Sequence, residues 1–78
     1  MSMLTLYNFN GMNENAQAEA IFTDGTFVDS RDENGLKVQL YSLYDFYVEV
    51  FYSQEENKIT RFRSFKSLGQ LAPYVKLA

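Results

Sequence analysis

The sequence predicts an α+β fold: a four-stranded antiparallel β-meander with an N-terminal helix and a short C-terminal helix packed on one face, forming a single domain over residues 1–78. Three observations point there. An alanine-rich run between Asn13 and Gly25 has helical composition, four segments rich in Val, Phe and Tyr follow it between short polar turns, and Ser67 to Val75 returns to helical spacing. The order helix, strands, helix is an α+β arrangement.

Leu4-Thr5-Leu6-Tyr7 is too brief to distinguish a short strand from an extended arm. The helix that follows has Asn13 to cap it, Glu14 at the positive end of its dipole, three alanines of high propensity and Gly25 as its stop. Ala18, Ile21 and Phe22 form a stripe toward a sheet, leaving Gln17 and Glu19 to solvent. After Gly25, Thr26 to Ser30 reads as a strand, and Asn34-Gly35 supplies the positive φ values of a tight hairpin. Leu36 to Leu43 and Phe46 to Ser53 are strands joined near Tyr44-Asp45, and Gln54 to Asn57 turns the chain into Lys58 to Phe65. Ser67-Leu68-Gly69-Gln70 has the form of a capping box, with Leu71, Tyr74 and Val75 on one helical face. Gly69 and Pro73 keep this last helix short and irregular.

Composition excludes much chemistry. Cysteine and histidine are both absent, which removes disulfides, thiolate nucleophiles, Cys/His zinc sites, Ser-His-Asp triads and imidazole acid–base catalysis. A hydrophobic fraction of 46%, with seven Phe and six Tyr, belongs to a folded chain. A domain this short buries about 60% of its unfolded surface, so each large apolar residue matters. The first residues have neither the basic leader nor the apolar run of a signal peptide, and nothing approaches the roughly 20 apolar residues of a spanning helix. The expectation is a cytoplasmic chain away from membranes.

Net charge is −3 and unevenly spread: residues 1–35 carry −5, residues 36–57 carry −3, and residues 58–78 carry +5. A sheet brings such blocks side by side and neutralises them across strands. A basic strip for docking an acidic partner is the sharper reading.

Alternation places Leu36, Val38 and Leu40 on one face and groups them with Phe46, Val48 and Val50 as the core under the helices. The other face then presents Tyr41, Tyr47, Glu49, Phe51, Arg61 and Arg63. Tyr and Arg concentrate binding energy at interfaces, and a guanidinium over an aromatic ring adds about 0.5–2 kcal/mol. These six residues are the candidate interaction surface. Ordinary cross-strand pairing on a solvated face is the alternative use of the same residues. On this parity Ile59 and Phe65 fall on the wrong side of the last strand unless a bulge or a strand end intervenes.

No catalytic, cofactor-binding or metal site emerges. Glu49 between two arginines is an ion pair with a lowered pKa, the wrong tuning for acid–base work near neutrality. Glu55-Glu56 and Asp32-Glu33 lie in turns without an adjacent base or nucleophile, and Asp29, Asp32 and Asn34 lack the spacing and distal glutamate of a calcium loop. Lys58 to Lys66 interleaves four bases with two phenylalanines, as in single-stranded nucleic-acid grooves, but lacks the RNA-recognition pattern and sits in a chain of pI near 4.7.

Phe46-Tyr-Val-Glu-Val-Phe-Tyr52 with its acidic turn, Arg61-Phe-Arg-Ser-Phe65, Gln70-Leu-Ala-Pro-Tyr74 and the Gln-Ala-Glu-Ala helix ending at Gly25 resemble a group of small uncharacterised bacterial proteins. The resemblance implies a compact single domain and transfers no catalytic motif. The expected function is a non-enzymatic protein-interaction module that forms a homodimer or docks a protein partner through the open aromatic and arginine face. No cofactor or small-molecule substrate is implied. Single-stranded nucleic-acid binding through residues 58–66 is the alternative.

Overall fold

A computed structural model describes residues 4–75; the first residues of the leader reading and Lys76 of the basic block lie outside them. The chain runs through α1 (Leu6–Asn10), α2 (Glu14–Asp24), β1 (Thr26–Glu33), β2 (Leu36–Leu43), β3 (Phe46–Ser53), β4 (Lys58–Phe65) and a 3₁₀ helix, Leu68–Tyr74, called here the strap. The four strands form one antiparallel sheet in the order β1-β2-β3-β4, the expected meander.

Local chemistry accounts for most boundaries. The segment left open between strand and arm is α1, capped by Thr5, whose hydroxyl accepts from the Asn8 backbone while the Asn8 side chain returns the bond. Asn13 caps α2 by accepting from the Ala16 N–H at 2.8 Å. Gly25 ends α2 through close approach: its backbone is extended, and a Cβ there would meet the Ile21 carbonyl oxygen at 2.5 Å. Asn34 and Gly35 both have positive φ, as their turn requires. Ser67 precedes the strap without a side-chain capping bond: the Gln70 N–H donates to the Ser67 carbonyl at 3.1 Å, and the Gln70 side chain accepts from Arg63.

The register changes the faces. Leu43 pairs with Phe46 across a two-residue turn, so residues of opposite parity meet on β2 and β3: Tyr41 with Val48, Leu40 with Glu49, Val38 with Phe51. The grouping of Leu36, Val38 and Leu40 with Phe46, Val48 and Val50 is therefore corrected. The helix face holds Leu43, Phe46, Val48 and Val50, buried with Phe9 of α1 and Ile21 of α2. The opposite face holds Val38, Leu40, Glu49, Phe51 and Phe65, also buried.

That second burial arises because the strap does not join the helices. It crosses the other face, reaching Arg63 on β4, Glu49 on β3 and Arg31 on β1 through Gln70 and Tyr74. Two bulges adjust the outer strands. One at Val28 separates the pairs Phe27–Tyr41 and Asp29–Leu40. The other, at Thr60, moves Ile59 to the helix face opposite Tyr52, supplying the irregularity its parity requires. Phe65 stays on the strap face, stacked on Tyr47 at 5.6 Å between centroids.

Candidate functional site

Five of the six candidate residues share the strap face: Tyr47, Glu49, Phe51, Arg61 and Arg63. Tyr41 is on the opposite face, between Phe22 and Phe27. The face expected to be open is partly covered: Glu49 and Phe51 are buried, Tyr47 and Arg63 are half-buried, and Arg61 stays exposed. Glu49 is 0% exposed and Phe51 is buried, with the Arg61 guanidinium 3.9 Å from the Phe51 ring centroid. Arg63 lies over Phe65. Arg61 sets its guanidinium on a ring, and Arg63 does so while also donating to Glu49, so the cation–aromatic stacking forms within the chain.

Glu49 is the hub of this face. Arg63 Nε donates to its Oε1 at 2.8 Å, Arg31 Nη2 donates to Oε2 at 3.0 Å, and the Tyr74 hydroxyl donates to Oε2 at 2.6 Å. Arg31 also donates from Nη1 to Glu33 at 2.7 Å and places its guanidinium 5.5 Å from the Tyr74 ring centre, while its Nε is buried without a partner. Burial pushes the Glu49 carboxyl upward, but donation from Tyr74, Arg31 and Arg63 outweighs it, holding the pKa below the ordinary carboxylate range. Burial and the bond to Glu49 push the Tyr74 phenol well above its ordinary value. Burial opposes the charge of Arg31, yet its bonds to Glu33 and Glu49 keep it firmly protonated. This hub is an ion cluster that fastens three strands and the strap; Arg31 and Tyr74 belong to it and were absent from the candidate set. Arg31 was hidden by its place in an acidic block, and Tyr74 by its assignment to an apolar helix stripe.

The basic block meets acids within the chain, across strands at Arg63–Glu49 and through turns elsewhere. Arg63 pairs with Glu49, Lys66 with Asp45 at 3.1 Å, and Lys58 with Glu56 at 3.4 Å. Among the described residues, no group of three or more acids is arranged to hold a metal ion.

The helix face carries the more open surface. α2 buries Ile21, and Gln17 donates from Nε2 to the Phe9 carbonyl at 3.0 Å instead of facing water. Phe22, expected in the buried stripe, is 59% exposed, and Phe27 is 53% exposed. Both sit edge-on to Tyr41, with centroids 6.1 and 5.8 Å away. Beside them lies a groove of about 280 Å³ lined by Phe22, Lys37, Gln39, Val50, Tyr52 and Ile59. Its origin is geometric. A four-stranded sheet is roughly 15–20 Å across and its eight-residue strands about 26 Å long, whereas one helix covers a band about 10 Å wide. α1 and α2 therefore leave the Lys37, Tyr52 and Ile59 end of the sheet without a cover. The exposure of Phe22 is concealed in the sequence because a helical stripe fixes spacing, not which of its side chains is fully covered.

No family model, curated protein or solved structure matches the chain. Among the described residues, no helix is long and apolar enough to cross a membrane.

Proposed function

We propose that this chain is a non-enzymatic protein-docking module that works in the cytoplasm and receives a protein partner on the helix face. One observation carries the reading: exposed Phe22 and Phe27 flank the half-buried Tyr41 in an aromatic row beside the apolar groove that Phe22 and Ile59 line. Aromatic anchors beside a concave apolar surface are where interfaces concentrate affinity. On the strap face, Tyr47, Phe51, Arg61 and Arg63 stack within the chain, which favours the helix face for docking.

The sheet edges favour face docking over strand addition. Hairpin geometry directs the Ser30 N–H outward from β1, where the Asp29 carboxylate accepts it at 2.7 Å. Both edge strands carry a bulge, and β4 adds Lys58, Arg61 and Arg63 along its edge. Such devices discourage pairing with another strand. The nucleic-acid alternative is weakened by the same contacts that neutralise the strip, since three of its four cations face carboxylates.

A photo-crosslinking side chain at position 22, compared with one at Arg61, tests the reading. Adducts that form from position 22 and disappear in an Ile59→Ser background support it, whether the adduct is a second copy or another protein. A chain that sediments as a monomer at high concentration and yields no adduct from position 22 in lysate overturns it.

A further inference from the structure

The strap is attached in an unusual way. A segment that covers a sheet face ordinarily inserts an apolar anchor, yet none of Leu68–Tyr74 is buried, and Leu68 and Val75 at its two ends are exposed. Its polar hold comes from two side chains, Gln70 on Arg63 and Tyr74 on Glu49 and Arg31, beside a Leu71 that is only half-buried. Their recipients are built for them. Glu49 is fully buried and aims Oε2 at the Tyr74 hydroxyl, while Arg63 divides its guanidinium between Glu49 and Gln70. Gly69 and Pro73 give the segment little helical stability of its own, so docking must stabilise it. Lys66-Ser67, between β4 and the strap, is the whole tether.

We propose that the Arg31, Glu49 and Arg63 crossing is a receptor for a short segment with Gln and Tyr four residues apart, and that it takes this segment from a second copy when its own strap is released. The occupant follows from what the receptor already seats: Gln70-Leu-Ala-Pro-Tyr74 satisfies it in the chain's own fold, and an identical segment makes identical bonds. Exchange of an identical element between protomers creates a dimer without new contacts. The tether sets the balance. A two-residue linker holds the strap at an effective concentration of roughly millimolar or more, so the intramolecular state prevails in dilute solution. The proposal is independent of docking on the helix face, since the two sites occupy opposite sides of the sheet.

The test uses the full chain and a labelled synthetic peptide of residues 67–75, read by fluorescence anisotropy. In full-length Tyr74→Ala the internal competitor is weakened, and the peptide binds at least tenfold more tightly than to wild type. A peptide carrying Tyr74→Phe binds that variant at least tenfold more weakly than the natural one. Full-length Tyr74→Phe, which loses a single hydroxyl, provides the same comparison if the alanine variant is poorly folded. Light scattering of wild type taken to millimolar concentration shows dimers, fewer when Glu49→Gln alters the receptor. Equal peptide affinity for wild type and the Tyr74 variants, no binding to the variants, or indifference to the peptide hydroxyl overturns the proposal.

Discussion

The two faces of the sheet hide similar apolar side chains under different kinds of cover. On the helix face the cover brings its own anchors: Phe9 and Ile21 sink onto Phe46, Val48 and Val50, and non-directional burial does most of the work. On the strap face, Val38, Leu40 and Phe51 lie beneath a cover that contributes hydrogen bonds to a buried carboxylate and guanidinium groups spread over rings. The first arrangement depends on volume, and the second on charge state and geometry.

The largest effect should come from breaking the volume-dependent face. Phe46→Ala removes a buried ring whose centroid lies 5.6 Å from that of Phe9 and costs about 4 kcal/mol in urea unfolding at neutral pH, with little change between pH 4 and 7. Glu49→Ala attacks the other face. It strips Arg31 and Arg63 of their carboxylate and costs about 3 kcal/mol by the same measurement, toward the low end for a broken buried pair because both arginines retain some contact with water.

Acid titration separates the faces by a smaller margin. The folded Glu49 carboxyl has a lowered pKa, so its contribution is complete above the unfolded value, about 4.3 for Glu, and declines as pH falls toward the folded value. Unfolding free energy measured from pH 7 to pH 2 should therefore fall less steeply in Glu49→Gln than in wild type. Equal slopes would remove Glu49 as the acid-sensitive element. The smallest effect is local. Tyr74→Phe deletes one bond to a charged acceptor, loosening strap docking by about 1.5 kcal/mol. It should speed amide exchange at the Val75 N–H, which bonds the Ala72 carbonyl, while amides of β3 keep their protection.

The elements were legible where local chemistry is sufficient. Asn34-Gly35 names its own turn, and Asn13 with Gly25 brackets α2, although the glycine is needed for contact with the Ile21 carbonyl and not for positive φ. The faces were harder to read because they depend on register. The two-residue link between Leu43 and Phe46 forces even-numbered residues of β2 opposite odd-numbered residues of β3, so like parity does not mean like face. Tyr44 illustrates the difficulty: it adopts φ 56°, a conformation a bulky side chain rarely signals, and its hydroxyl donates to Asp24 at the end of α2 at 3.0 Å. The strap's side of the sheet was illegible for another reason. Its fastening bonds are polar ones made by Gln70 and Tyr74, and a stripe of Leu71, Tyr74 and Val75 does not say which side of the sheet it meets.

The meander has a kinetic consequence. Every strand pairs with its immediate sequence neighbour across links as short as Asn34-Gly35 and Tyr44-Asp45, so little loop-closure entropy is lost before each ladder forms. Folding rates of mixed α/β domains with such local contacts lie between those of helical bundles and β-sandwiches. The strap can dock only after β2 has joined β1 to the β3–β4 pair, since its recipients come from β1, β3 and β4. Arg31, Glu49 and Arg63 therefore assemble before Tyr74 arrives, and the loss of its hydroxyl accelerates unfolding while leaving the refolding rate nearly unchanged.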